Sequence, residues 1–380
     1  MKVCYSATIW DGGRSGIGTY IAEQISQLSQ REDLNLRILE YGGRLLSRHE
    51  RPQGSGTGSG TRNPVRPLRD IAWHRCRLAS LVRQEKIDVV HVPTIRRIPG
   101  KLSCAAVITV HDLGPVRMRG KYGLLRRFYH TSVVPRWLEN VDAIVTPSHF
   151  TKNDLMQFYR VSAEKITVVP NGLNHEIYKP GDEKESAARI RDSYKIAGPF
   201  FVYISRLEHP AKNHVRLIHA FEQFKDSLSL PHQLVLVGAR WNGAEEVEEV
   251  LAASRHRQAI VHTGHVPHED LPHFLRASVA LIYPSLFEGF GMPVTEAMAC
   301  GTPVACSRSS SLTEIAEGKS LLFDPENPEE MADAMRKLAT DDLLRERLCA
   351  TGLAHAKTFT WKRCVDETIQ VWRQAMERAR

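Results

Sequence analysis

Apolar positions along this chain fall in short, β-branched runs separated by longer stretches in which they recur every three or four residues, the alternation of buried strands with amphipathic helices. Strands are predicted at Val3–Ile9, Leu34–Leu39, Val89–Val92, Ala106–Val110, Ala143–Thr146 and Ile166–Val169. The alternation then restarts with Phe200–Ile204, Gln233–Val237, Ile260–Thr263, Ala280–Tyr283, Pro303–Cys306 and Ser320–Phe323, and helices such as His214–Lys225 and Pro328–Leu338 lie between them. Two such sets predict an α/β protein of two doubly wound, Rossmann-like domains with ligands at the carboxyl ends of the strands. Polar residues and Pro180-Gly181 break the pattern near Asn174–Pro180, so the domains are expected over residues 1–176 and 177–360. A helical tail from Trp361 to Arg380 carries an apolar stripe of Val365, Ile369, Val371, Trp372 and Met376, which must pack on something. The segment Gly42–Asp70, with GSGTGSGT flanked by arginines, has no sustained apolar period and reads as a loop, either one that orders over a substrate or an insertion without a role.

Composition adds bounds rather than detail. Hydrophobic residues at 42% and charged residues at 25% are those of a soluble globular protein, and 380 residues suit two domains. No apolar run nears the roughly 18 residues that span a bilayer, and the chain start becomes charged before a leader-like run develops, so a cytoplasmic location is expected. Seven cysteines without a CxxC pair fit buried thiols in a reducing compartment. The net charge of +8 is uneven: residues 1–178 hold 26 Lys and Arg against 15 Asp and Glu, a surplus of 11, whereas the remainder has three more acids than bases. A basic first half suits an anionic partner, but neither a zinc finger nor an aromatic RNA-binding motif is present, so nucleic acid is not expected.

The strongest chemical signal is YPSLFEGFGMPVTEAMACGTP, Tyr283 to Pro303, where a strand leads through a glycine-containing loop into a helix with Pro293 in its first turn and Gly301 at its end. The helix amino terminus and the amides around Phe290, Gly291 and Met292 offer donors and partial positive charge to a diphosphate or sugar. Glu288 and Glu296 frame this loop; Glu296 can accept from the vicinal hydroxyls of a ribose and Glu288 from hydroxyls of a transferred sugar.

This spacing of glutamates closely resembles the signature of glycosyltransferase family 4, a retaining family with the GT-B fold. The resemblance implies two Rossmann-like domains facing a central cleft, with the last helix crossing back to the first domain. SRLEHPAKNH, Ser205–His214, resembles the family segment whose arginine and lysine hold the donor diphosphate, and Arg206 and Lys212 match it. Two fixed cations there stabilise the charge of a departing nucleoside diphosphate most in the transition state, so no metal ion or other cofactor is expected.

SGIGTY, with Gly16, resembles the family's first loop by the donor phosphate and acceptor. TVHDLGP resembles the segment that places His111 by the transferred sugar, with Asp112 as its orienting neighbour or an acceptor contact. VLVGAR, with Gly238, and HTGHVPHEDL, with His265 and Val266, resemble the loops around the nucleobase. The resemblance covers nearly the whole chain and is weakest across residues 40–85.

The mechanism expected is front-face displacement, since no carboxylate stands out as a nucleophile on the far face of the sugar. Between Gly114 and Trp137, Arg117, Arg119, Arg126 and Arg127 interleave with Leu124, Leu125, Phe128 and Tyr129. Such a surface suits a lipid-linked acceptor at an anionic membrane, or else is a solvated basic helix. A glycan or lipid-linked acceptor of polysaccharide or O-antigen assembly would follow from the first of these. GDP-mannose is the first donor expected, UDP- and dTDP-sugars remain open, and an inactive sugar-nucleotide-binding protein is the alternative of another class.

Overall fold

The computed structural model describes residues 1–52, 65–118 and 123–379. They form two compact units, Met1–Gly172 with Trp361–Arg380, and Leu173–Thr360, so the division comes after Gly172 rather than after residue 176.

In the first unit the strands are β1 (Lys2–Ser6), β2 (Asn35–Leu39), β3 (Leu45–Ser47), β4 (Val89–Val92), β5 (Ala105–Thr109), β6 (Ala143–Thr146) and β7 (Ile166–Val168). They make one sheet in the order β3-β2-β1-β4-β5-β6-β7, parallel except for β3. Near-continuous burial of the inner strands is what helices on both faces require, and explains their unbroken apolar sequences. The expected loop over Gly42–Asp70 is corrected at both ends: β3 pairs antiparallel with β2, and the helix Val65–Cys76 begins inside it. A three-residue strand shows no alternation to read, and Pro64, Pro67 and several arginines mask the helix start. The GSGTGSGT run lies outside the described residues.

The tail forms the helix Trp361–Arg378 and belongs to the first unit. Its Val365, Ile369, Val371 and Trp372 are buried in the core that holds Val3, Tyr5 and Tyr20, while Met376 packs at the edge. Trp372 is fully buried, and its indole N–H donates to His91 Nδ1 at 2.9 Å. Gly172 permits this docking, because a Cβ there would lie 2.3 Å from the Trp361 amide nitrogen.

The second unit holds β8 (Phe200–Ile204), β9 (Gln233–Val237), β10 (Ile260–Gly264), β11 (Ala280–Tyr283), β12 (Val304–Ser307) and β13 (Leu321–Phe323), all parallel, in the order β10-β9-β8-β11-β12-β13. In each sheet the order reverses beside the first strand, at β1/β4 and at β8/β11, which is where a doubly wound sheet opens a crevice for ligand. The motif loops Ser205–Asn213 and Pro284–Gly291 leave the carboxyl ends of β8 and β11 and are therefore neighbours at such a point.

All seven cysteines are free thiols; Cys76 is exposed and Cys104 and Cys349 are half-buried, correcting the expectation that every one is buried, which holds for the other four. The helix that carries Cys76 turns that position to solvent.

Candidate functional site

The second unit brings its two motif loops together. Lys212 Nζ donates to Glu288 Oε1 at 2.5 Å, and the Tyr283 hydroxyl donates to the same oxygen at 2.9 Å. Both partners of the ion pair are largely buried, with side chains 17% and 15% exposed. Burial alone would push the Glu288 carboxyl up, but the Lys212 charge and hydrogen bonds from Lys212, Ser285 and Tyr283 outweigh it and hold it below the usual glutamate range. The Lys212 loop is pinned from below: the Tyr203 hydroxyl donates to the Lys212 carbonyl at 2.7 Å, and Asn213 Nδ2 donates to the carbonyls of Pro284 and Pro325 at 3.0 and 2.7 Å. Asn213 holds a left-handed backbone, φ 60°, which asparagine tolerates better than most residues.

Arg206 stands at the rim, its side chain 43% exposed. One face of its guanidinium lies 4.5 Å from the Trp241 ring, and Nη2 donates to the buried Glu208 carboxylate at 3.2 Å. These two contacts fix a planar cation at the rim.

Gly291 sits at φ 101° and opens the helix Met292–Cys300; Pro293 is in its first turn and Gly301, φ 79°, closes it. The first amides of any helix lack intrahelical acceptors, so this end is a place for anionic oxygens. Phe290 is 5% exposed and packs edge-on against Phe359, which makes it core rather than a stacking platform. Glu296 projects from this helix, and burial pushes its carboxyl up to about 7; the Tyr178 hydroxyl opposes the shift without making a hydrogen bond of ordinary geometry.

Gly238 has φ 153°, and a Cβ there would fall 2.1 Å from the Ser205 carbonyl oxygen, so the ends of β8 and β9 meet only because it is glycine. Its amide donates to the Gly264 carbonyl at 2.9 Å; beyond Gly264, His265 is exposed and Val266 buried.

In the first unit, Gly16 is the exposed first residue of the helix Gly16–Ser29, capped by the Ser15 hydroxyl. The steric need for glycine falls two residues on: a Cβ at Gly18 would lie 1.9 Å from Asp11 Oδ1. His111 follows β5, and its Nε2 donates to the Pro93 carbonyl at 3.2 Å. Burial pushes this imidazole down to about 4, against the opposing pull of Asp112, so it is neutral near pH 7 with Nδ1 as its acceptor nitrogen. Its ring meets Tyr20 edge-on at 4.7 Å. Asp112 accepts from the Gly114 amide at 2.7 Å, shaping the turn into the helix Gly114–Arg117.

The basic surface residues divide. Arg117 Nη2 donates to the buried Asp154 at 2.6 Å and its guanidinium lies over Phe158, so its charge, though exposed, is paired within the unit. Arg126 and Arg127 stand on the helix Leu124–Phe128, whose Leu124, Leu125 and Phe128 are 80%, 88% and 63% exposed. Arg119 lies outside the described residues. Among the described residues no group of three or more His, Cys, Asp or Glu side chains could hold a metal ion.

Sequence reasoning missed Tyr203, Glu208, Trp241 and Tyr283, which hold the two cations and Glu288, and the serines Ser309–Ser311, which touch the Glu288 loop. Only the RSSSL run, Arg308–Leu312, is unusual enough to have been noticed.

Comparison with known proteins covers the same ground. Residues 14–177 match the family model described as Glycosyltransferase Family 4, and residues 168–353 the one described as Glycosyl transferases group 1. The chain is 26% identical to O-antigen chain mannosyltransferase B of Escherichia coli, over 98% of this chain and 100% of that protein. It is also 26% identical to the serotype-specific mannosyltransferase WbdA of Escherichia coli over 70% of its own length, spanning 32% of that longer protein. Among solved structures it is similar to sucrose-phosphate synthase from Thermosynechococcus elongatus, with a TM-score of 0.79 at 20% identity over 98% of each chain, a likeness of fold.

Proposed function

The chain belongs to glycosyltransferase family 4, with the GT-B fold, and from that membership we propose that it transfers mannose from GDP-mannose to a growing glycan of O-antigen type. That it is a glycosyltransferase follows from the two family models and the full-length mannosyltransferase relative; the donor and the acceptor are this proposal. The observation that carries the site is the Lys212–Glu288 pair at the β8/β11 reversal, with Arg206 on the same loop as Lys212.

The second unit takes the donor. Arg206, Lys212 and the amino end of the helix Met292–Cys300 receive the diphosphate, Glu296 receives the ribose hydroxyls, Glu288 the sugar hydroxyls, and Gly238, His265 and Val266 the base. As the bond from the anomeric carbon to the phosphate oxygen breaks, a bond from the acceptor oxygen forms on the same face, and the acceptor proton passes to the departing phosphate oxygen. Configuration is retained, and the two cations meet the charge left on the diphosphate. In the first unit His111, neutral near pH 7, serves as a hydrogen-bonding partner for sugar hydroxyls rather than as a proton carrier, with Asp112 shaping its loop.

Calorimetric titration with GDP, UDP, dTDP and ADP in the presence of EDTA tests this reading. GDP is expected to bind in the micromolar range and the others at least tenfold more weakly; preference for another base replaces the donor, and binding that requires a divalent ion overturns the metal-free site.

The acceptor is proposed to be lipid-linked, with the helix Leu124–Phe128 resting on an anionic membrane: three apolar side chains at 63–88% exposure flank two adjacent arginines and have no other described cover. No helix among the described residues is long and apolar enough to cross a membrane, so contact would be peripheral. Replacing Arg126 and Arg127 by Ser is expected to weaken binding to vesicles rich in anionic lipid by about thirtyfold, at about 1 kcal/mol per charge. Equal binding in sedimentation would reject this surface.

A further inference from the structure

Three consecutive serines after β12 each hold a backbone group of the loop that carries Glu288. Ser309 Oγ donates to the Ser285 carbonyl at 3.3 Å. The Glu288 amide donates to Ser310 Oγ at 3.0 Å. Ser311 Oγ lies 2.9 Å from the Glu288 carbonyl and 3.0 Å from that of Phe290, so its one proton is shared between two acceptors.

Each of these contacts departs from what a serine does in an ordinary helix start. Ser309 has the extended backbone of an N-cap before the helix Ser310–Ala316, yet its hydroxyl does not cap that helix. Ser310 sits at φ 50°, in the left-handed region where glycine is comfortable and serine is not. A glycine would relieve that backbone; a serine is kept with its hydroxyl on the Glu288 amide. Ser311 is fully buried, where alanine would fill nearly the same space, and its hydroxyl instead ties two carbonyls of the loop, those of Glu288 and Phe290. All three serines bind main chain, so none of them competes with Lys212 and Tyr283 for the Glu288 carboxylate.

We infer that Ser310 and Ser311 are positioning residues for glycosyl transfer, clasping the loop Ser285–Phe290 so that the Glu288 carboxylate and the loop entering the helix Met292–Cys300 keep the geometry the transferring sugar needs. The inference rests on the donor-site reading of Glu288 given above. A clasp of this kind acts on the reaction through the loop, so its loss lowers kcat more than it raises the donor KM.

The test uses Ser311→Ala, Ser310→Gly and Ser310→Asn in the full chain, with turnover of GDP-mannose, UDP-glucose, dTDP-glucose and ADP-glucose, and amide hydrogen exchange over residues 285–291. Ser311→Ala is expected to lower kcat about thirtyfold with the donor KM within about threefold, as a loop shifted by a fraction of an ångström would. Ser310→Gly relieves the backbone and is expected to fold even if Ser311→Ala does not, yet to lose about tenfold in kcat. Ser310→Asn, which tolerates the left-handed backbone and restores an acceptor, is expected to recover most of it. Exchange of the 285–291 amides should quicken in the first two variants. Wild-type turnover with unchanged kcat in Ser310→Gly and Ser311→Ala, whatever their melting temperatures, overturns the clasp and leaves the donor reading standing. Unchanged exchange also overturns it, and absence of wild-type turnover with all four donors overturns the donor reading and the clasp together.

Discussion

Lys212→Ala is expected to lower kcat by about a thousandfold, the upper range for removing one preorganised group that meets developing charge. The size comes from two losses that share one atom. Nζ donates directly to the Glu288 carboxylate, and in the proposed donor site its loss would leave a departing diphosphate only Arg206 and the helix amino terminus to face. The same change leaves Glu288 largely buried with only hydroxyl donors, so its carboxyl, now held low by Lys212, would rise above the usual glutamate range. Breaking a mostly buried pair in this way costs about 3 kcal/mol of stability near neutral pH. The depressed Glu288 value fixes the direction of its pH dependence: the pair's contribution is present above the ordinary glutamate range and is lost as pH falls through the lower folded value, so wild type and Lys212→Ala should converge in acid. Lys212→Arg keeps the charge but replaces a point cation by a wider fork and is expected to retain measurable turnover. Steady-state kinetics with chemical denaturation of the same samples checks both parts. Turnover within tenfold of wild type in Lys212→Ala would remove the lysine from the reaction.

How much of this was legible depends on how far apart in the chain the partners lie. Strand positions were readable because buried parallel strands are unbroken apolar runs, as in Phe200–Ile204 and Gln233–Val237, which match β8 and β9 in full. The helix Met292–Cys300 was readable because Pro293 and Gly301 mark its ends. The edge strand β3 was not, since three residues carry no period. At the site, the residue types were legible and their partnerships were not. Lys212 and Glu288 are 76 positions apart and meet because β8 lies beside β11, an order that no local pattern encodes. The pairing of Arg117 with Asp154 escaped for the same reason: 37 residues separate them, and a basic run looks alike whether its charges face water or a buried carboxylate. The serines that touch the Glu288 loop carry neither charge nor a distinctive spacing, and their role emerges only once β12 is placed next to β11.

Glu296→Gln is expected to make the protein more stable and a poorer donor binder at the same time. The folded carboxyl titrates near 7 against 4.5 for an ordinary glutamate, chiefly because burial disfavours its charge. Between those values the folded protein holds a proton that the unfolded chain releases. The group's contribution to stability is therefore complete below about pH 4.5 and is lost as pH rises through about 7, leaving a charged, poorly solvated carboxylate at pH 8. Allowing for its partial exposure, that cost is about 2 kcal/mol, and glutamine removes it, raising the melting temperature of the second unit by about 4 °C at pH 8 and by much less at pH 5. A ribose bound as proposed would reverse the preference, since two hydroxyls donating to a carboxylate stabilise its charged form and exclude water from it. Nucleotide affinity in the wild type should accordingly fall by up to about tenfold per pH unit below 7, and the glutamine variant should bind about thirtyfold more weakly at pH 8 with no such slope. Destabilisation by Glu296→Gln at pH 8, or a pH slope of nucleotide binding that survives it, would show that this carboxyl neither carries the strain of burial nor meets the ribose.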